Sequence, residues 1–228
     1  PDMPQVVVFD TAFHRSMPEH VWRYALPEEM YSEYGVRRYG FHGTSHDYVT
    51  GKACEFLGIP REQFNTVVAH LGNGASLCAL DGGISRDTSM GFSALDGVPM
   101  ATRCGAIDPG VLLHLIGTDG RTVQDVEDIL YRQSGLLGVS GISADSRVLL
   151  ESDENQAKEA IELFTFRIAG EIAPIAIGVE IAIVGDRPGE IARDRPIEIE
   201  FAIVGEHRDI VAEHHLGQRC AVHHRPRR

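Results

Sequence analysis

The first candidate for chemistry is a short glycine-rich segment between two strand-like runs. Gly72-Asn73-Gly74 follows the run Thr66 to His70 and precedes the run Ser76 to Leu80. Glycines let backbone N–H groups approach phosphate oxygens without interference from a Cβ atom. The sequence contains neither GxxxxGK followed by Ser or Thr nor GxGxxG, so it predicts neither a P-loop nor a Rossmann dinucleotide site. An ordinary tight turn is the alternative interpretation of the same residues.

Two histidines flank the predicted start of a helix. The segment Tyr39-Gly40-Phe41-His42-Gly43-Thr44-Ser45-His46 places them where the first turn of that helix would begin. The partial positive charge of a helix N-terminus favours anions, so an anion site is one interpretation, and a structural role for each histidine is another. A Ser-His hydrolase using Ser45 is a further alternative. The segment lacks the GxSxG elbow, however, and helix capping explains a serine here more simply.

An arginine and an aspartate occupy two more positions where a site could form. Arg103 stands shortly before Asp108-Pro109, and a guanidinium there could clamp carboxylate or phosphate oxygens. Asp10 ends the apolar run Val6 to Phe9, and functional groups in open α/β sheets commonly lie beyond the carboxyl ends of strands. A surface ion pair for Arg103 and a turn for Asp10 are the alternatives.

The composition predicts a soluble globular protein. The chain has 228 residues, 43% of them hydrophobic, which is enough for one sizeable core or two modest ones. Its 21 Lys and Arg against 33 Asp and Glu give a net charge of -12, which argues against binding to nucleic acid or to anionic membranes. No run approaches the roughly 20 apolar residues that span a bilayer. The four cysteines stand far apart without a CxxC pair, so we expect a reducing, cytoplasmic location and no structural metal site.

The elements that would hold these residues follow from hydrophobic periodicity and capping signals. The all-apolar run Val6 to Phe9 predicts a buried strand of a larger α/β architecture. The runs on either side of Gly72 to Gly74, and a third run from Ile84 to Asp87, predict strands joined by tight turns. Helices are predicted over 43–57, 109–116, 122–132 and 155–172, the last of them ended by Pro174.

The sequence changes character beyond Pro174. Alternating apolar residues predict two half-buried strands, at about 175–183 and 197–203. The final segment, Glu213 to Arg228, is rich in histidine and arginine. A solvated tail is favoured there over a metal site, because paired carboxylates and regular ligand spacing are lacking. Five histidines in the last 22 residues could supply ligands for such a metal site, namely His207, His214, His215, His223 and His224.

Several segments, in this order, resemble the acetate kinases. The resemblance extends from residue 5 to about residue 172, and its two longest motifs are rarely met by chance. The matching segments are Val8 to His14, Arg37 to His46, His70 to Gly74, Asp87 to Gly91, Arg103 to Gly110, Ser134 to Ser143 and Asp145 to Arg147.

The resemblance implies both a fold and a reaction. The fold is α/β, a ribonuclease-H-like domain of the acetate and sugar kinase, chaperone ATPase and actin superfamily, in which two such domains close on a nucleotide. The reaction is phosphoryl transfer between ATP and a small carboxylate, acetate or propionate, with Mg2+. The resemblance also suggests a homodimer.

The same resemblance assigns roles to individual residues. Asp10 would be the catalytic acid or base, or would position magnesium-linked water. His42 and Arg103 would stabilise charge on the phosphoryl group in flight, as a transfer that depends on alignment and donors requires. Phe41 would line the acyl pocket, and no residue of this chain is assigned as a direct metal ligand. The residues expected to hold the nucleotide are His70, Leu71, Gly72, Asn73, Gly74, Asp145, Ser146 and Arg147.

Two parts of the family pattern have no counterpart in this sequence. One is the N-terminal domain with its glycine- and serine-rich phosphate loop, and the other is the later nucleotide loop with a magnesium-binding Glu. We therefore divide the chain into a kinase-like region, 1–172, and a divergent segment, 173–228, of the kind that a frameshift produces. The prediction is a fragment with weak or no activity, and a nucleotide-binding remnant of the same fold is the alternative.

Overall fold

The computed structural model describes residues 3–184, 199–205 and 208–214 of the chain. Its five strands are β1 Thr66–Leu71, β2 Ala75–Asp81, β3 Ile84–Thr88, β4 Ile199–Gly205 and β5 Arg208–His214. Its α-helices are α1 Glu19–Trp22, α2 Glu28–Ser32, α3 Gly43–Leu57, α4 Pro109–Gly117, α5 Val123–Arg132, α6 Gly135–Ser140, α7 Ser146–Leu150 and α8 Asn155–Val184. Short 3-10 helices cover Ala12–Ser16 and Arg61–Gln63.

The described strands form one mixed sheet in the order β3-β2-β1-β4-β5. Strand β2 pairs antiparallel with both β1 and β3, as the glycine turns between these strands predict. Strand β4 pairs parallel with β1. In the β1–β2 pairing His70 lies directly opposite Ser76. Directly paired residues project to the same face of a sheet, so these two polar side chains share one face.

The two faces of the β1–β2 hairpin carry different cores. Val68, Cys78 and Leu80 pack on one face with Val49 and Cys54 of α3. On the other face, hairpin residues pack with Ile168 and Ile172 of α8, among others; they are Val67, Ala69, Ala75, Leu77 and Ala79. Alternate residues therefore serve opposite layers, and the helix α3 covers the face that also carries His70 and Ser76.

Several helix boundaries agree with their capping signals. The carboxylate of Asp108 accepts a hydrogen bond from the backbone N–H of Gly110 at 2.8 Å, with Pro109 in the first turn of α4. Thr122 begins α5 with a capping box that it shares with Asp125. Gly58 ends α3 in the left-handed conformation, with φ of 67°.

The strand predicted over Val6 to Phe9 is wrong. These residues belong to no strand or helix, and they are 69 to 85% exposed. An apolar run becomes a buried strand only when neighbouring strands pair with it and cover its faces. Within the described ranges, no strand does so.

The strand predicted over 175–183 is also wrong, because α8 continues through Pro174 to Val184. Proline lacks the N–H that would bond to the carbonyl of residue 170, which removes one bond from the helix without ending it here. Isoleucines that are spaced by two residues, as in a strand, are also spaced by four, as on one face of a helix. The apolar pattern of 175–183 therefore does not distinguish a strand from a helix. Of the second predicted strand, residues 199–203 lie in β4, and 197–198 lie outside the described residues.

The proposed division at residue 172 falls inside α8, and it stays a prediction. The histidine- and arginine-rich tail lies outside the described residues from 215 onward, as does His207. None of the helices in the described ranges is both long enough and apolar enough to cross a membrane.

Candidate active site

Four of the predicted site residues converge at the start of α3 and the turn between β1 and β2. His42 and Arg103 approach Gly74, Asp10 bonds the backbone of His42, and His70 stacks on the His42 ring, and we call these five residues the His42 group. They come from distant parts of the sequence, so only the fold brings them together.

Asp10 binds the first turn of α3. Its carboxylate accepts hydrogen bonds from the backbone N–H of His42 at 2.6 Å and from that of Thr44 at 3.4 Å. Its backbone carbonyl accepts a third from Gly43 at 2.9 Å. A Cβ atom at Gly43 would overlap that carbonyl, so glycine permits the close approach. The predicted capping by Thr44 or Ser45 is therefore replaced by a carboxylate that lies 32 positions away in sequence.

His42 occupies a left-handed backbone conformation, which is uncommon in residues other than glycine. Its φ is 58° and its ψ is 21°, in the left-handed region. Such a conformation costs on the order of 1–3 kcal/mol and persists where the surroundings enforce it. The hydrogen bonds to Asp10 hold this position, which turns the imidazole toward the β1–β2 hairpin.

The ring of His42 is held by contacts on the hairpin. It stacks on the ring of His70, with centroids 4.1 Å apart, and its Nδ1 lies 2.9 Å from the hydroxyl of Ser76. The pKa of His42 is lowered from 6.5 to about 4, chiefly by burial and also by His70 and Arg103, while Asp10 acts in the opposite direction. The imidazole is therefore neutral at neutral pH.

Gly74 is where His42 and Arg103 meet. A Cβ atom at this position would lie 3.1 Å from Nε2 of His42 and 3.5 Å from Nη1 of Arg103. The same Nη1 donates to the carbonyl of Ala94 at 3.0 Å, which orients the guanidinium. The absence of a side chain at Gly74 thus leaves an imidazole edge and a cation beside bare backbone.

The rest of the predicted nucleotide loop adjoins this point. His70 lies in β1, and its Nδ1 is 2.8 Å from the hydroxyl of Ser45. Leu71 ends β1 and packs partly against the core. Gly72 donates its N–H to the carbonyl of Gly74 at 2.9 Å, and the carbonyl of Asn73 accepts from the N–H of Ala101 at 3.2 Å. These bonds fix the shape of the turn and connect it to the segment that carries Arg103.

Phe41 is partly buried and packs against the core on the α8 side of the sheet. Its carbonyl accepts a hydrogen bond from Nε2 of His14 at 2.9 Å, and Nδ1 of His14 lies 2.9 Å from the hydroxyl of Ser85. Phe41 directly precedes His42 in the sequence. Its backbone carbonyl, however, is bonded by His14 and not by a residue of the His42 group.

The segment Asp145-Ser146-Arg147 is placed differently. Asp145 caps α7, accepting from the backbone N–H of Arg147 at 2.9 Å, and it pairs with the guanidinium of Arg147 at 2.7 Å. Hydrogen bonds from Arg147 lower the pKa of the Asp145 carboxyl. Ser146 is the first residue of α7. Asp145 also donates its backbone N–H to the hydroxyl of Ser143 at 3.0 Å and accepts at its carbonyl from Leu149 at 3.2 Å, so these contacts of Asp145 lie within residues 143–149.

Comparison with known proteins decides between the interpretations of these segments. The model of the Acetokinase family matches residues 1–185 of the chain. The chain belongs to the acetokinase family.

Curated relatives support this assignment. The chain is 54% identical over 189 residues to the acetate kinase of Kocuria rhizophila, which covers 81% of this chain and 45% of that protein. It is 49% identical over 189 residues to the acetate kinase of Micrococcus luteus, covering 81% of this chain and 48% of that protein. The chain thus spans about half the length of the curated relatives that it matches.

Solved structures show the same fold. An acetate kinase from Porphyromonas gingivalis superimposes with a TM-score of 0.73 at 43% identity, covering 76% of this chain and 44% of that one. A propionate kinase from Francisella tularensis does so with a TM-score of 0.74 at 43% identity, covering 78% and 46%. The α/β fold of the acetokinase family expected from the sequence is therefore confirmed over the matched part.

Three buried residues beside the candidate site were assigned no role in it from the sequence, although His46 was considered as one of two histidines at the start of α3. His14, His46 and Ser76 are each at most 1% exposed, and each hydrogen-bonds a residue or segment of the site. A signal for Ser76 did exist. Counting back across the turn between β1 and β2 places Ser76 opposite His70, on the face that the site uses.

The described residues do not form a metal cage of their own. No group of three His, Cys, Asp or Glu side chains converges in the described ranges as a resident metal would require. Asp10 does present one exposed carboxylate beside His42. Magnesium in nucleotide sites is usually held by one or two carboxylates together with substrate phosphates and water. Asp10 therefore fits a magnesium ion that arrives on a nucleotide.

Proposed function

We propose that this chain carries part of the active site of an acyl kinase that transfers a phosphoryl group between ATP and acetate or propionate. The observation that carries the proposal is the convergence of His42 and Arg103 on Gly74. Phosphoryl transfer depends on positioned donors around the equatorial oxygens, and little covalent work is required of the protein. An imidazole and a guanidinium beside bare backbone supply such donors.

The two donors complement each other in charge. Arg103 is a permanent cation whose planar guanidinium suits phosphate oxygens. His42 is neutral at neutral pH because burial holds its pKa near 4, so it contributes a hydrogen bond without a second full charge. The bond from Arg103 to the carbonyl of Ala94 keeps the guanidinium in place, which reduces the reorganisation needed when charge develops.

Asp10 is placed to act at the same point. Its carboxylate is already engaged by two backbone N–H groups of α3, which hold it in one orientation. When bound, Mg2+ would neutralise phosphate charge and orient the transferred group. The exposed carboxylate of Asp10 would position water bound to that ion.

The nucleotide would lie along the turn between β1 and β2. The N–H of Gly72 is taken by the carbonyl of Gly74, so Asn73 and Gly74 would offer their N–H groups to phosphate oxygens next to the cation of Arg103. Asp145, Ser146 and Arg147 form a second surface for the nucleotide. This second surface would act together with the turn between β1 and β2 only when a bound ligand or additional polypeptide connects the two.

Two assays on the 228-residue chain test the proposal. Calorimetric titration with ATP and Mg2+ measures binding, and trapping of acyl phosphate with hydroxylamine measures turnover with acetate or propionate. We expect ATP to bind and turnover to be weak, because the chain spans about half the length of its relatives. Absence of ATP binding would contradict the proposal.

The same assays separate the alternatives. ATP binding with no acyl phosphate would identify a nucleotide-binding remnant of the kinase fold. The hydroxyl of Ser45 lies 2.8 Å from Nδ1 of His70, a pair that a hydrolase could use. Ester hydrolysis that disappears in Ser45→Ala, without ATP binding, would favour the hydrolase. The homodimer and the cytoplasmic location suggested by the sequence stay predictions.

A further inference from the structure

The buried hydroxyl of Ser76 lies between two histidine rings. Its Oγ is 2.9 Å from Nδ1 of His42 and 2.9 Å from Nε2 of His46. Ser76 and His46 are each 0% exposed, so bulk solvent does not reach this junction. The protons shared by the three groups must therefore be arranged within the protein.

A hydroxyl has one proton, so Ser76 can donate to only one of the two rings. In the first arrangement, His46 donates from Nε2 to Ser76, and Ser76 donates to Nδ1 of His42. In the second, His42 donates from Nδ1 to Ser76, and Ser76 donates to Nε2 of His46. If both rings donated, the hydroxyl proton of Ser76 would itself lack an acceptor.

The other nitrogen of His46 distinguishes the two arrangements. Its Nδ1 is buried and has no hydrogen-bond partner within the described part of the chain. The ring is neutral, because burial and, to a lesser extent, the neighbouring rings of His14, His70 and His42 lower the pKa of His46 to about 2. The second arrangement would bury an N–H at Nδ1 with no acceptor, whereas the first leaves only a lone pair there. Orphaned buried N–H groups are rarer than under-satisfied acceptors, so the first arrangement is favoured.

We propose that Ser76 and His46 form a relay that holds the His42 ring with its proton on Nε2 and its lone pair on Nδ1. The hydrogen bond made by one imidazole nitrogen fixes which tautomer the ring adopts. The Nε2 edge of His42 is the edge that approaches Gly74 and Arg103. Ser76 is thus a positioning residue, which acts on the site only through His42.

This inference rests on the proposed function, because an N–H at Nε2 matters there only when an oxyanion reaches Gly74. The groups that face the His42 ring are consistent with a neutral donor. Arg103 already supplies a positive charge, and the stacked ring of His70 disfavours another one on His42. A neutral N–H beside a cation can bond a phosphate oxygen without that repulsion.

A second histidine and serine pair in the same region provides a matched control. Nε2 of His14 lies 2.9 Å from the carbonyl of Phe41, which can only accept, so that nitrogen carries the proton. Nδ1 of His14 must then accept from the hydroxyl of Ser85, 2.9 Å away. Ser85→Ala therefore removes a buried hydroxyl from a histidine without removing the bond between Ser76 and His42.

Long-range 1H–15N spectra of the histidine rings in the 15N-labelled 228-residue chain test the relay at neutral pH. Comparison with His42→Gln assigns the ring of His42. We expect the wild-type ring to show a protonated Nε2 and an unprotonated Nδ1. In Ser76→Ala the Nδ1 resonance should shift as it loses its hydrogen bond, and both tautomers should become populated. Ser76→Thr, which retains a hydroxyl, should restore a single tautomer, and Ser85→Ala should leave His42 unchanged.

Two outcomes would overturn the inference. One is a proton on Nδ1 of His42 in the wild-type chain, a result that needs no variant to fold. The other is an unchanged His42 ring in folded Ser76→Ala. Addition of ATP and Mg2+ tests the proposed function separately. A ring with the expected tautomer but no response of its Nε2–H to ATP would contradict the function and leave the relay standing.

Discussion

The His42 group and the segment Asp145 to Arg147 hold polar groups by different means. The contacts of His42 reach Asp10 and Ser76, 32 and 34 positions away in sequence, and its ring is stacked and partly buried. The side-chain pairing of Asp145 with Arg147 spans two positions, and 80% of the Arg147 side chain is exposed. Both segments carry the same family resemblance, yet the contacts described for His42 join distant parts of the sequence, whereas the pair of Asp145 and Arg147 is local.

The difference indicates which part of the site this chain can complete alone. Groups held by several distant elements keep their geometry before a ligand arrives, and that preorganisation is what electrostatic stabilisation requires. An exposed pair between neighbouring residues contributes little by itself and is screened by salt. Variants at equivalent positions of the two regions should therefore differ strongly in effect.

The largest expected difference is in ATP affinity. Arg103→Gln should weaken binding of ATP with Mg2+ by about 10- to 100-fold, because a hydrogen bond to a charged group contributes about 1.5–3 kcal/mol. Arg147→Gln is the matched control and should change affinity by less than about fivefold, as is usual for exposed charges. Calorimetry on both variants measures the contrast. Equal losses would show that the two segments act as one site.

One part of the pH dependence of stability should come from the imidazole of His42, beside the contributions of other shifted groups such as His46. Because the pKa of His42 falls from 6.5 to about 4 on folding, the unfolded chain binds more protons between these values. Stability from this group is therefore complete above pH 6.5 and is lost as the pH falls through about 4. The loss should be on the order of 1–3 kcal/mol.

Urea unfolding of the wild-type chain and of His42→Gln across this pH range measures that loss. The variant should show a flatter dependence of the free energy of unfolding on pH. Arg147→Gln should retain the wild-type slope. A slope that is the same in all three proteins would remove His42 as its cause.

A smaller contrast is expected between the two aspartates that cap helices. Asp10→Ala should lower the free energy of unfolding by about 1 kcal/mol or more, since it removes the carboxylate that caps α3. Asp145→Ala removes the cap of a helix that has five residues, and its effect should be smaller. Urea midpoints of the two variants give the comparison, and a larger loss for Asp145→Ala would contradict it.

Features of the fold that depend on neighbouring residues could be predicted from the sequence, whereas those that depend on distant residues could not. Asp108, Thr122 and Gly58 lie next to the helix ends that they define, so the sequence alone predicted those boundaries. Asp10 caps α3 across 32 positions, and no local pattern indicates such a partner. The exposed run Val6 to Phe9 shows the same limit, because burial depends on neighbours that a run of apolar residues does not specify.

The site was predicted through resemblance more than through chemistry. Motif matching brought out His42, Arg103 and the turn at Gly74, and the structure places them together. It did not bring out Ser76, and it left open whether His46 is structural, because buried serines and histidines look the same in sequence as any other core polar residue. Their role depends on a shared hydrogen bond that only the three-dimensional arrangement reveals.

We propose that ATP binds at the turn between β1 and β2, beside His42 and Arg103. Titration of the 15N-labelled chain with ATP and Mg2+, followed through the backbone amide resonances, tests this binding site. We expect the largest chemical-shift changes at Gly72, Asn73 and Gly74 and in the first turn of α3. Shifts confined to residues 145–147, or no shifts at all, would contradict it.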